Sequence, residues 1–299
     1  MGKQGRKRLV SYALFLAALF QCRFLAFAIL DPLDFLALQL IRKSMNDLPG
    51  SSFFASWDFT SDPCNFTGVY CESDKLTNVL LCHNNLSGSV PPFLSQALTR
   101  LDLKRNALTG SLPNSFSPSL QFLSLSWNQL TGPVDSVVSR LDQLSFLDLS
   151  FNRFTGPIPD RIFSFPLTNL HLQRNSFYGP VQPGDQVKIS TVDLSHNMLS
   201  GRISPMFSTV QNLYLNHNRF TGQVPDSLVD RLLSASLQTL YLQHNFLTGI
   251  GINPTAEIPQ STSLCIQYNC MVPPVQTPCP LKFETQKTRP TSLCNEWKG

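Results

Sequence analysis

LYLNHNRFTGQVP, residues 213–225, decides the fold, because the chain repeats it with some letters held and others free. VDLSHNMLSGRIS begins at Val192 and LYLQHNFLTGIGI at Leu240. Leu215 and Asn218 are kept in all three, whereas the positions of Tyr214 and Asn216 and, across the further copies, of His217 vary. Aligned on the asparagine, the pattern recurs at Asn84, Asn106, Asn128, Asn152, Asn175, Asn197, Asn218, Asn245 and, in degraded form, Asn269. Successive asparagines lie 21 to 27 residues apart. Apolar residues stand three and five places before each, and Gly stands four places after the first eight, from Gly88 to Gly249.

The held letters have physical reasons. In Leu213-Tyr214-Leu215 the side chains alternate, so the leucines share one side of a short strand and Tyr214 takes the other. One coil cannot bury its leucines alone, so coils stack and complete one another. Asn218 stands where the chain leaves the strand, and its amide offers donors and an acceptor to backbone groups that have lost their ladder partners. The ladder asparagines are therefore structural. The expected fold is β-rich α/β: a right-handed leucine-rich repeat solenoid with a parallel sheet on its concave face.

The ends read differently. Lys3, Arg6, Lys7 and Arg8 precede an apolar run broken at Gln21-Cys22-Arg23, and Ala26-Phe27-Ala28 has the form of a cleavage site. Residues 1–28 read as a secretory signal peptide, and no later run is long and apolar enough for a membrane span. That leader carries five of the 23 Lys and Arg and no Asp or Glu. The remainder has 18 cations against 19 anions, net −1, so nothing suggests a nucleic-acid partner. The other divisions are an N-terminal cap (29–75), repeats (76–260), and a degenerate last repeat with a Cys-rich cap (261–299).

The tail LTGSLP at Leu108 and FTGPIP at Phe154 resembles the plant-specific leucine-rich repeat, and residues 34–71 resemble the N-terminal cap of plant extracellular repeat proteins. The matching cap residues are Trp57, Cys64, Gly68, Val69 and Cys71, with Phe66 where that family usually has Trp. The resemblance implies a non-enzymatic recognition role, as in receptor ectodomains or polygalacturonase inhibitors, without choosing a partner. In the cap itself, Asp31-Pro32 is suited to open a helix, and Leu33, Leu36, Leu40 and Ile41 are expected to cover the first coil.

Seven cysteines follow the leader, and secretion favours disulfides. Cys64 with Cys71 is the favoured cap bridge. Cys265, Cys270, Cys279 and Cys294 allow three pairings among themselves, and Cys82 is left over unless it takes Cys64 or Cys71. The tail after Pro273 is expected to lack regular structure. Repeat seven carries an extra stretch, Asp226–Ser236, suited to a short helix. Asn65 and Asn85 head glycosylation triplets.

Function is expected on the free letters. The column between the strand leucines contains Asp102, Asp148, His171, Asp193, Tyr214, Tyr241 and Cys265. The column before the asparagine contains His83, Arg105, Trp127, Phe151, Arg174, His196, His217, His244 and Tyr268. The candidate partner-binding residues are Asp102, Arg105, Trp127, Asp148, Phe151, His171, Arg174, Tyr214, His217, Tyr241 and His244, because interfaces favour aromatics with Arg. Catalysis is not expected. Asp102 and Asp148, two coils or about 10 Å apart, lack a cleft between them. No metal or other cofactor is expected: the His196–His217–His244 column has no Cys or carboxylate to complete a zinc site. Protonation of that column is expected to change binding near pH 6. The partner is a protein or peptide, or a cell-wall polysaccharide, met outside the cell. The alternative is a wall-associated structural adaptor without a discrete ligand.

Overall fold

The computed structural model describes residues 30–92, 95–275, 279 and 288–295. The expected leader lies outside these residues. Each coil contributes a strand to a long sheet: Lys75–Leu80, Arg100–Asp102, Phe122–Ser124, Phe146–Asp148, Asn169–His171, Thr191–Asp193, Asn212–Tyr214, Thr239–Tyr241 and Ser263–Cys265. These strands are parallel and pair equivalent residues, as in Leu170↔Val192↔Leu213↔Leu240↔Leu264. Their leucines, with those three places before the asparagines, form a core in which Leu147, Leu170, Leu213 and Leu240 are wholly buried. The solenoid fold expected from the repeat is the one observed.

The ladder asparagines join neighbouring coils. Asn152 Nδ2 donates to Leu125 O of the preceding coil at 2.9 Å and to Leu149 O of its own at 3.1 Å. Its Oδ1 accepts from Leu130 N at 3.0 Å. Asn128, Asn197, Asn218 and Asn245 repeat the arrangement. Each amide thus satisfies buried donors and acceptors that no strand ladder reaches.

A second sheet was not anticipated. The Leu-Thr-Gly segments form eight parallel strands, from Leu86–Ser89 to Phe246–Gly249, on another side of each coil. Its register slips: Thr109 pairs with Gln129, two residues before its equivalent, Thr131. Met45–Asp47 of the cap adds antiparallel to the first of these strands. The chain passes so close there that a Cβ on Gly88, at φ +100°, would collide with the Ser44 carbonyl oxygen.

Helix α1, Pro32–Ser44, covers the first coil, capped by Asp31 Oδ1, which accepts from Leu33 N at 2.9 Å. Its buried face matches the expected one at Ile41 and otherwise differs. Leu33 and Leu36 are 50% and 41% exposed, and the face turned inward is Asp34, Ala37, Leu38 and Ile41. Buried Asp34 accepts from Leu76 N at 2.7 Å and so occupies the edge of the first coil with a polar contact. Leucine count misjudged this phase because a carboxylate takes one core position. Short helices α2, Asp135–Val138, and α3, Asp226–Leu233, lie behind the strands, the second where a helix was expected.

At the far end Cys265 bonds Cys279 and Cys270 bonds Cys294, while Cys64 bonds Cys71 and Cys82 is free. The tail is not wholly irregular: Asn269 bridges Thr288, and α4, Thr291–Asn295, follows. Arg289 Nε donates to Asn245 O at 2.9 Å, which holds the tail against the last coils.

Asn152→Ala is expected to lower the stability of the folded chain by about 2–4 kcal/mol, since it leaves buried backbone groups unpaired. Asn152→Asp, which keeps the acceptor and removes the donors, should recover little. Urea midpoints of the three proteins measure this, and a full rescue by Asp contradicts the bridging role.

Candidate functional site

The face of the long sheet turned away from the leucines carries four columns of side chains. Register places Asp102, Ser124, Asp148, His171, Asp193, Tyr214, Tyr241 and Cys265 in one line. Not all are open. Asp102 is only 5% exposed, and Cys265 is wholly buried. Cys265 keeps its expected place in the column and is covered because its sulfur bonds the tail through Cys279. Ser126, Ser150, Ser195, Asn216 and Gln243 lie two residues further along their strands and are buried beneath taller neighbours. The Gln173 and Gln243 Oε1 atoms are buried there without a hydrogen-bond partner.

The column before the asparagines has a feature that sequence inspection missed. All nine residues, from His83 (φ 63°) to Tyr268 (φ 55°), are in the left-handed region. For a side-chain-bearing residue this conformation costs roughly 1–2 kcal/mol. It lets the backbone keep pairing across the bend: Trp127 N donates to Ser150 O at 3.0 Å, and Asn106 N donates to Trp127 O at 3.3 Å. It also brings the side chains into one line, in which two groups stack. Trp127 and Phe151 stack at 3.8 Å between centroids, and His196–His217 and His217–His244 each stack at 4.1 Å. Arg105 lies over Trp127 at 5.3 Å and Arg174 over Phe151 at 5.2 Å. Tyr268 continues from His244 at 4.7 Å, and Arg289 closes the end over Tyr268 at 4.7 Å.

A shorter rail runs parallel to this stack. Phe122 and Phe146 stack at 4.5 Å, and Arg100 lies over Phe122 at 3.8 Å. These residues stand two places before the middle column, so strand alternation points them outward as well. The period-two rule, carried one step towards the N-terminus, would have found them. Between the rails lies a floor of Ser124, Ser126 and Ser150. Thus the structure brings Arg105, Trp127, Phe151 and Arg174 together, and separately His217 with His244. Tyr214 and Tyr241 meet edge to face at 5.2 Å, and His171 lies 6.0 Å from the Phe146 ring.

Electrostatics revise the histidine reading. Burial, then Arg174 and His244, lowers His196, while burial and the adjoining His196, His244, Arg174 and Arg289 hold His217 at about 3. His217 therefore does not supply the charge change expected near pH 6. Asp193 is shifted upward by burial, partly offset by its hydrogen bonds from Ser195 and by His171. Among the described residues no group of three or more His, Cys, Asp or Glu could hold a metal, and no helix is long and apolar enough to cross a membrane.

A leucine-rich repeat N-terminal domain model matches residues 31–72, and a leucine-rich repeat model matches 97–118, 119–141, 143–165, 209–230 and 236–256. With the fold, these matches make the chain a member of the leucine-rich repeat proteins. No curated protein matches the sequence. Among solved structures, the chain is similar to that of PEPR1–AtPEP1, at 26% identity and TM-score 0.70, over 80% of this chain and 35% of that one. A plant ice-binding protein matches at 26% identity and TM-score 0.66, over 81% of this chain and 80% of that one. The plant peptide hormone receptor RGFR1, in complex with RGF2, matches at 28% identity and TM-score 0.56, over 63% and 31%. The chain therefore spans about a third of the two receptor chains.

The depressed histidines have a consequence for stability. Unfolding returns them to 6.5, so the unfolded chain takes up protons first as pH falls. Their contribution is complete above about pH 6.5 and is lost as pH falls towards 3. His217→Gln should flatten the fall of the urea midpoint between these limits. A variant as steep as the parent would contradict the stacked neutral ladder.

Proposed function

We propose that the protein is an extracellular recognition module that binds a protein or peptide partner through the concave face of its repeats, without catalysis. The observation that carries this reading is the Arg105–Trp127–Phe151–Arg174 stack, with Trp127 46% exposed. Nothing in the leucine core requires large rings or guanidinium groups at these positions. Aromatics and Arg are also the residue types on which protein interfaces concentrate affinity. The likeness to PEPR1–AtPEP1 and to RGFR1 supports the same reading.

The stack also favours a protein over a polysaccharide. Trp127 and Phe151 are 11° from parallel and cover each other, with Arg on both outer sides. A sugar ring needs a free aromatic face, whereas a polypeptide uses ring edges and guanidinium N–H groups. Ice binding, suggested by the plant ice-binding neighbour, needs a flat grid of repeating groups. The Thr column of the second sheet is interrupted by Ser87, Tyr178 and Ser200, and the Thr109 and Thr221 hydroxyls donate to Gly88 O and Gly201 O. That sheet does not present such a grid.

Asn65 and Asn85 are both exposed. We read them as glycosylated in the secreted protein, which a mass shift on glycosidase treatment would register. For the binding face, the Trp127→Ala/Phe151→Ala double variant should retain at least 10-fold less of a partner captured from extracellular fluid. Its urea midpoint should stay near the parent's. Equal capture by both proteins would refute the reading. Salt-sensitive, unsaturable retention on pectin in place of capture would favour the wall-associated adaptor.

A further inference from the structure

We propose that Asp148 and Asp193 seat two basic side chains, three residues apart, of a proline-rich segment in the polyproline II conformation. This deepens the protein-or-peptide reading above and rests on it. The two carboxylates stand in the middle column of the open face with His171 in register between them. They are held alike. Ser150 N and Oγ donate to Asp148 Oδ1 at 3.0 and 2.6 Å, and Ser195 N and Oγ donate to Asp193 Oδ1 at 3.0 and 2.7 Å. Among the described residues, every hydrogen bond to these two side chains is to Oδ1. Among the described residues, neither carboxylate has a Lys or Arg within ion-pair distance. Two fixed, partly buried carboxylates therefore have no Lys or Arg partner, with only His171 between them, and an incoming cation supplies one.

The surroundings limit the seat. Asp102 continues the row, but its coil also holds Arg100, Lys104 and Arg105, which repel a basic ligand. Arg174 is drawn aside over Phe151. Rings stand on both sides of the row: Phe146 lies two residues before Asp148 and Phe151 three after it, while Tyr214 is in register with Asp193 and His196 lies three residues after it. The floor between them is the buried Ser150 and Ser195.

Spacing selects the conformation. Two strand intervals separate the carboxylates, roughly 9.6 Å. A polyproline II helix has three residues per turn and a rise of about 3.1 Å, so every third side chain returns to one face after about 9.3 Å. A β-strand returns to one face at about 6.7 Å or 13 Å and misses the interval. An α-helix returns near 10.5 Å, but it is about 10–12 Å wide. The Phe146 and Phe151 backbones are five residues apart, at most roughly 16 Å, and the rings occupy part of that width. A proline-rich chain is slimmer, and its rings pack on aromatic walls.

The test uses the full secreted chain and labelled synthetic peptides, read by fluorescence anisotropy. KPPKPPKPP has the matching period, KPKPKPKPK the wrong period, and EPPEPPEPP the wrong charge. The first should bind at least about 10-fold tighter than the other two, and more weakly as salt rises. Asp148→Asn and Asp193→Asn, which keep an acceptor for their serines, should each weaken it about 10-fold. Equal binding of KPKPKPKPK, undiminished binding by both Asn variants, or no binding of KPPKPPKPP would overturn the proposal. If the peptides fail while Trp127→Ala/Phe151→Ala still loses its captured partner, only the carboxylate seat falls. If that capture is also unaffected, the broader reading falls with it.

Discussion

The structure depends on the ladder of asparagine amides that ties each coil to its neighbours. Stacked leucines supply most of the driving force, but burial is non-directional and does not by itself set where the chain turns. The turn leaves backbone N–H and C=O groups facing an apolar interior. One amide in each coil meets them, as Asn218 does with Leu194 O, Leu215 O and Leu199 N. This fixes the bend, and the bend fixes the left-handed residue before it. The rings of that column then have little choice but to stack at the repeat of the sheet. The candidate interface is thus a by-product of backbone satisfaction, with chemistry chosen at positions the core leaves free.

This ordering explains what the sequence disclosed. The Leu and Asn positions answer to short-range rules, so the repeat, its register and the outward columns were legible from spacing alone. Trp127 with Phe151 and Arg174 stood out for the same reason. The stack itself was not legible, because it arises from a positive φ at residues whose side chains give no warning of it. Nor were the depressed histidines, whose shifts come from burial among neighbours far apart in sequence. The inward face of α1 was misjudged because Asp34 takes a place that hydrophobicity assigns to leucine. The second sheet went unseen because Leu-Thr-Gly reads as a turn signal, and its pairing exists only between coils.

The two rails divide the open face into unlike parts. Arg100, Lys104, Arg105 and Arg174 gather around the first half, where most of the large rings stand. Beyond Asp193 the face is Tyr, His, Asn and Gln until Arg289 closes it. A partner laid along the coils would therefore meet cations and broad rings first, then a row of hydrogen-bonding groups. Change at one coil leaves the others in place, since each contacts only its neighbours.

The ends of the solenoid differ in what holds them. The first coil is covered by a helix and an antiparallel strand hydrogen-bonded to it, and the cap's own disulfide, Cys64–Cys71, closes only a short loop outside both of them. The last coil relies on a tail joined through Cys265–Cys279 and Cys270–Cys294, with Arg289 lying across it. In a linear array, unravelling starts where the terminal interface is weakest and spreads coil by coil. A reductant would therefore convert the Cys-rich end into the fraying end. Proteases would then gain entry from Tyr268 backwards while the capped front still stood, so the molecule's lifetime is tied to the oxidation state of its surroundings.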